Sequence, residues 1–152
     1  MPARLCVIEC MGKESVPDAA TVTRFVREVI GCNCPDEVFR HIEIQRGSSV
    51  VKACSANCEL RIGGRLLIVV TSEPLARLAP HLAEVVAEGK RARDELRFNR
   101  FRLIVQTGRH GEESEQLVRA FESLPDKDER THLHILAKGE VPNFFSHAPD
   151  AD

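Results

Sequence analysis

The chain has 152 residues, the size of one ordinary domain or of a small domain with a half-domain attached. Hydrophobic residues make up 43% and charged residues 29%, the balance of a globular protein, and a net charge of −2 argues against nucleic acid or an anionic membrane as the main partner. No apolar stretch reaches the roughly 18 residues of a membrane span, and the N-terminus MPARLCVIEC lacks the long apolar core of a secretory signal. A cytoplasmic protein with no membrane partner is therefore expected. In that reducing setting six cysteines point to free thiols, metal ligands or redox chemistry rather than to structural disulfides.

Residues 4–9 (RLCVIE) form a short apolar run and predict a first strand, with Cys6 inside it as a small buried residue and Cys10 at its end. A polar turn containing Gly12 follows. Ser15 is placed as a helix N-cap, and Val22, Phe25, Val26, Val29 and Ile30 recur at helical spacing up to a stop at Gly31. Residues 39–45 alternate well enough for a strand, with Ile42 and Ile44 on the buried side, and Val50–Val51 suggests a hairpin return. Gly63-Gly64 is a two-residue turn signal before the firmest strand, 65–71. Ser72 is a second candidate cap, Pro80 splits the helical pattern that follows, and Gly89 is its expected end, with 90–97 continuing as helix or linker. Strand 101–106, a Gly-bearing turn, a helix over 112–124 with Leu117, Val118, Phe121 and Leu124 in line, and strand 131–137 complete the pattern. Residues 142–152 read as a flexible tail. The alternation of strand and helix is that of an α/β protein.

The cysteines carry most of the chemical signal. Closely spaced thiolates are the usual ligands of zinc and of iron–sulfur clusters, because a short loop can aim two sulfurs at one metal. Besides Cys10 the chain offers Cys32-x-Cys34 after the first helix and Cys54-x-x-x-Cys58. A first helix of about 15 residues spans roughly 22 Å, which sets Cys10 apart from Cys32 and Cys34. Cys54 and Cys58 then join either Cys10, or, if 50–53 folds back, Cys32 and Cys34 as a four-sulfur zinc site. Cys32-x-Cys34 by itself reads as a redox pair, a soft-metal site or two loop thiols without a role.

The run Cys10-Met-Gly-Lys-Glu-Ser15, then helix, strand and A-C-S-A-N-C (53–58) ahead of an aliphatic strand, resembles the thioredoxin-like two-iron, two-sulfur ferredoxins, the family of the small subunit of respiratory complex I. The resemblance covers about residues 3–90. It implies a thioredoxin-like ferredoxin fold over 1–90 with a C-terminal strand–helix–strand extension at 98–138, the latter continuing the same sheet or forming a separate unit. It further implies an iron–sulfur cluster on Cys10, Cys54 and Cys58, with Ser15 where the family has its second cysteine, and electron transfer to a redox partner protein. The Gly-Pro step that follows the family's last cysteine is replaced by Glu59-Leu60. The competing readings are a cofactor-free thioredoxin-like interaction domain, alone or as a homo-oligomer, and the zinc protein on Cys32, Cys34, Cys54 and Cys58.

Three weaker features remain. Residues 107–111 lead from a strand into a helix N-terminus, where Arg109 or His110 could assist an anion. His132 and His134 share one face of a strand. Residues 90–102 hold six basic side chains against Asp94 and Glu95, a solvated face or a surface for an acidic partner. No nucleophile elbow, HExxH or catalytic triad order is present, so no independent catalytic activity is expected.

Overall fold

The computed structural model describes residues 19–108, 111–125 and 127–144. The expected first strand, Cys6, Cys10, Ser15, Arg109 and His110 lie outside them. Helix α1 (Ala19–Arg24) runs directly into a wider helical segment, Phe25–Ile30, in which the Gly31 N–H reaches back five residues to the Val26 carbonyl. Gly31, at φ 82°, reverses the chain in the left-handed region that glycine enters without strain. Val22, Phe25, Val26 and Ile30 are buried as the spacing predicts, but Val29 faces outward.

The chain then departs from the expected strand over 39–45. Pro35 starts a short 3-10 turn, Asp36–Arg40, and only Ile42–Arg46 is strand β1. Val38 and Phe39 are adjacent and both buried, which a turn allows and a strand of period two does not. Residues 50–51 do not begin the return strand either. Over 47–55 the loop hands its N–H groups to carboxylates: Ser49 donates to Glu59, Lys52 and Ala53 to Glu88, and Ser55 to Glu73. With those donors satisfied locally, ladder pairing resumes only at β2 (Ala56–Ile62), antiparallel to β1 with Arg46 opposite Cys58.

Gly63 and Gly64 turn the chain into β3 (Leu66–Thr71) with φ values of 62° and 64°, a hairpin turn of the type that matches strand twist. A Cβ on Gly63 would also overlap the Val38 backbone, so this glycine is required twice over. All six residues of β3 are buried, as befits a strand covered on both faces. Pro74 precedes the short helix α2 (Leu75–Leu78), and Ser72 caps nothing: its hydroxyl accepts from Asn57 and Gln106 instead. Pro80 sits in a 3-10 turn, Ala79–His81, before α3 (Leu82–Leu96). Gly89 does not end this helix. It lies inside α3 against the Phe101 ring, and the true end is Arg97 at φ 64°.

Strand β4 (Arg100–Thr107) is parallel to β3, and after α4 (Glu112–Glu122) strand β5 (Thr131–Ala137) is parallel to β4. The described strands thus form one mixed five-stranded sheet in the order β1-β2-β3-β4-β5, so residues 98–138 continue the sheet of the preceding segment. In α4 Leu117 and Phe121 are buried whereas Val118 points to solvent. One face of the sheet packs on α1, with Cys58, Leu60, Ile62, Ile68, Val70 and Ile104 in its cluster. The other packs on α2, α3 and α4 through Leu67, Val69, Phe101, Leu103 and Val105. Phe144, expected in a flexible tail, is buried on the α1 face edge-on to Phe25 with ring centroids 5.8 Å apart. The architecture is mixed α/β.

Candidate functional site

Cys32 and Cys34, half-buried in the loop after α1, are joined as a disulfide with Cα atoms 5.7 Å apart. The loop is held at both ends. The Cys32 N–H donates to the Val26 carbonyl at 3.0 Å. Arg27 stacks over the Phe39 ring and donates from Nη2 to the Cys34 carbonyl and to Asp36 Oδ1, each at 2.7 Å. The helix and the 3-10 turn therefore grip the pair between them.

Across from the disulfide lie the N-terminal ends of β3, β4 and β5. A cleft of about 420 Å³ is lined by Cys32, Cys34, Arg65, Asn99, Arg100, Arg102 and His132 among others. The parallel register sets Arg102 beside His132 and Ile104 beside His134. Diagonal contacts then form between Arg100 Nη1 and His132 Nε2 (3.0 Å) and between Arg102 Nη1 and His134 Nε2 (2.9 Å). A guanidinium can only donate, so both Nε2 atoms accept and each ring carries its proton on Nδ1. Burial, followed by the Arg102 charge, pushes both histidines down to about 4. They are neutral at pH 7 and add no charge to the cleft. Arg102 itself is only 8% exposed and its Nε has no partner.

These histidines make stability pH-dependent. Their folded values lie below the ordinary 6.5, so the unfolded chain binds more protons between the two values. Their contribution is complete above about pH 6.5 and is lost as the pH falls toward 4. After discounting for their partial exposure, about 1 kcal/mol per histidine is at stake. Urea midpoints measured by far-UV circular dichroism should fall across this window, with a shallower slope in His134→Gln.

Cys54 and Cys58 lie elsewhere. Cys58 pairs with Val70 near the C-terminal end of β3 and is buried in the α1-face cluster. Cys54 sits at the rim of the cluster on the opposite face, beside Thr71. Burial first, then Glu73, pushes the Cys54 thiol up to about 11; burial and Glu59 push Cys58 up to about 12. The Cys32–Cys34 loop faces the start of β3 and these thiols its end, a separation of about 13 Å along four strand residues. The four-cysteine zinc set is thus not gathered: 50–53 does not fold back to the Cys32 end. No group of three or more His, Cys, Asp or Glu side chains placed to hold a metal occurs among the described residues.

The expected basic stretch 90–102 has no single role. Arg93 is buried in an ion pair, Lys90 and Arg91 flank a shallow groove with Asp94 and Glu95, and Arg100 and Arg102 enter the cleft. The cleft's arginine cluster was not apparent from sequence. Its available signal is the i, i+2 repeat of Arg100-x-Arg102 and His132-x-His134, which places each pair on one strand face. No helix among the described residues is long and apolar enough to cross a membrane. No family model matches this chain, and comparisons with curated proteins and with solved structures gave no significant match.

Proposed function

We propose that the protein is a small cysteine-based redox protein whose working group is the Cys32–Cys34 disulfide, exchanging electrons with a thiol-bearing partner. One observation carries this reading: the disulfide lines a cleft whose facing wall holds Arg65, Arg100 and Arg102. A partner thiolate attacks one sulfur, a mixed disulfide forms, the Cys32–Cys34 bond breaks, and the displaced sulfur leaves as a thiolate. A second partner thiolate attacks the mixed disulfide and releases the other sulfur. Two electrons pass to the cysteine pair, the partner becomes a disulfide, and the two released thiolates take protons from solvent. The C-terminal end of a helix disfavours a thiolate; the arginines supply the opposing charge. The hairpin β2–β3 followed by a helix is in keeping with a thioredoxin-like core, and a redox pair of this kind with a cytoplasmic setting.

In air-oxidised protein, alkylation and peptide mapping should find Cys32 linked to Cys34, and equilibration in glutathione buffers should titrate the link reversibly. Cys54 should alkylate about a hundredfold more slowly than an ordinary exposed thiol, since a thiol raised from 9.0 to about 11 holds about a hundredth of the thiolate. Cys32 and Cys34 found free after oxidation would overturn the reading. The second reading, an iron–sulfur centre on Cys10, Ser15, Cys54 and Cys58, has one placement in its favour: Cys54 and Cys58, the free thiols among the described residues, lie toward the same end of β3, although they join clusters on opposite faces of the sheet. Iron analysis of anaerobically purified protein tests it, and iron-free protein after reconstitution rejects it.

A further inference from the structure

We infer that the cleft beside the Cys32–Cys34 disulfide is an oxyanion-binding subsite, and that the thiol it selects is a small one carrying a carboxylate or similar anionic group. The inference rests on the redox reading of that disulfide and names the class of its reaction partner.

The support is the way this fold treats buried charge. Three charged residues among those described are less than a tenth exposed: Glu59, Arg93 and Arg102. Glu59 is met by Arg61 at 2.6 Å and by the Ser48 hydroxyl at 2.8 Å. Arg93 is met by Asp128 and Asp94, each at 2.9 Å. Among the described residues Arg102 alone of the three has no carboxylate partner. Its bonded neighbour is the neutral His134, the like charge of Arg100 acts on it, and its Nε is unsatisfied. An unpaired buried cation is costly, and an oxyanion in the cleft removes that cost. Among the described residues the Arg100 guanidinium meets the Glu129 carbonyl and His132, neither of them an anion. Exposed Arg65 and Asn99 complete the wall with further donors. The volume, about 420 Å³, suits a small molecule rather than a protein segment.

The chemistry is the exchange already written, with 3-mercaptopropionate as the attacking thiol: its carboxylate occupies the arginine wall while its sulfur attacks the disulfide. The test compares reduction rates, expressed per thiolate, for 3-mercaptopropionate, neutral 2-mercaptoethanol and cationic cysteamine. At low salt the anionic thiol should react about tenfold faster than the neutral one, and cysteamine slowest. The preference should shrink in high salt as the screening length falls. Arg65→Gln combined with Arg100→Gln should abolish the preference, read as the ratio of the 3-mercaptopropionate to the 2-mercaptoethanol rate, because both rates lose the charge opposite the released thiolate but only the anionic thiol also loses its carboxylate site. Arg77→Gln, on α2 at the far end of the sheet, should keep it. If the double variant loses its far-UV circular dichroism, exposed Arg65→Gln alone should still remove about threefold of the preference. Equal rates for all three thiols in the unmodified protein, or a preference unchanged in the folded variants, rejects the subsite and leaves the redox reading standing. A disulfide that does not form, or that no thiol reduces, rejects both.

Discussion

Asp128→Ala should destabilise the fold by about 2 kcal/mol, because it removes the bidentate partner of buried Arg93 and leaves it only the exposed carboxylate of Asp94. Arg93 on α3 is 1% exposed and points into the loop before β5. There its Nη1 and Nη2 donate to the two Asp128 carboxylate oxygens at 3.0 and 2.9 Å, a bidentate pair. Thr131 and the Arg130 N–H also donate to Asp128. Arg93 holds the Asp128 carboxyl well below the usual carboxylate range. For a depressed carboxylate the stabilisation is present above the unfolded value near 4 and lost as the pH falls below it. Acid unfolding should therefore have two phases, the histidine loss above pH 4 and the Asp128 loss below it. The second should vanish in Asp128→Ala. Converting both partners to apolar residues, Arg93→Met with Asp128→Leu, should recover most of the stability, because no charge is then left buried alone. Urea midpoints would decide. A single variant as stable as the parent shows that the pair holds nothing.

Gly89→Val should cost about 3 kcal/mol or leave the protein unfolded, although a glycine in mid-helix is normally improved by any residue but proline. Helix α3 crosses β4 so closely here that a Cβ at position 89 would overlap Cε2 and Cζ of the Phe101 ring, itself fully buried. Shortening that ring should rescue the smaller replacement: Gly89→Ala with Phe101→Leu should be more stable than Gly89→Ala alone. Additive effects in this double-mutant cycle would show that the two positions are not in contact. Thermal unfolding by circular dichroism is the suitable readout, since the chain has neither Trp nor Tyr.

Elements with a local cause are legible in the chain alone. The glycine pair at 63–64, the aliphatic run 66–70, the proline break at 80 and strand 131–137 all stand where the pattern puts them, because backbone freedom and hydrophobic period decide them over a few residues. The spacing also marks Cys32 and Cys34 as a candidate redox pair, whereas the preference for Cys54 and Cys58, with Cys10, rests on the ferredoxin resemblance. That Cys54 and Cys58 join clusters on opposite faces of the sheet follows from packing and not from spacing, since Cys54 precedes β2 and escapes its alternation. Gly89 read as a stop because a sequence does not show Phe101 lying against it. Arg65 comes from the turn before β3, Arg100 and Arg102 from β4 and His132 from β5, and nothing in their separate neighbourhoods says that parallel pairing will align them opposite the Cys32–Cys34 loop. Turns and strands are short-range decisions of the backbone; a site built across strands depends on register, which is settled only when the sheet assembles.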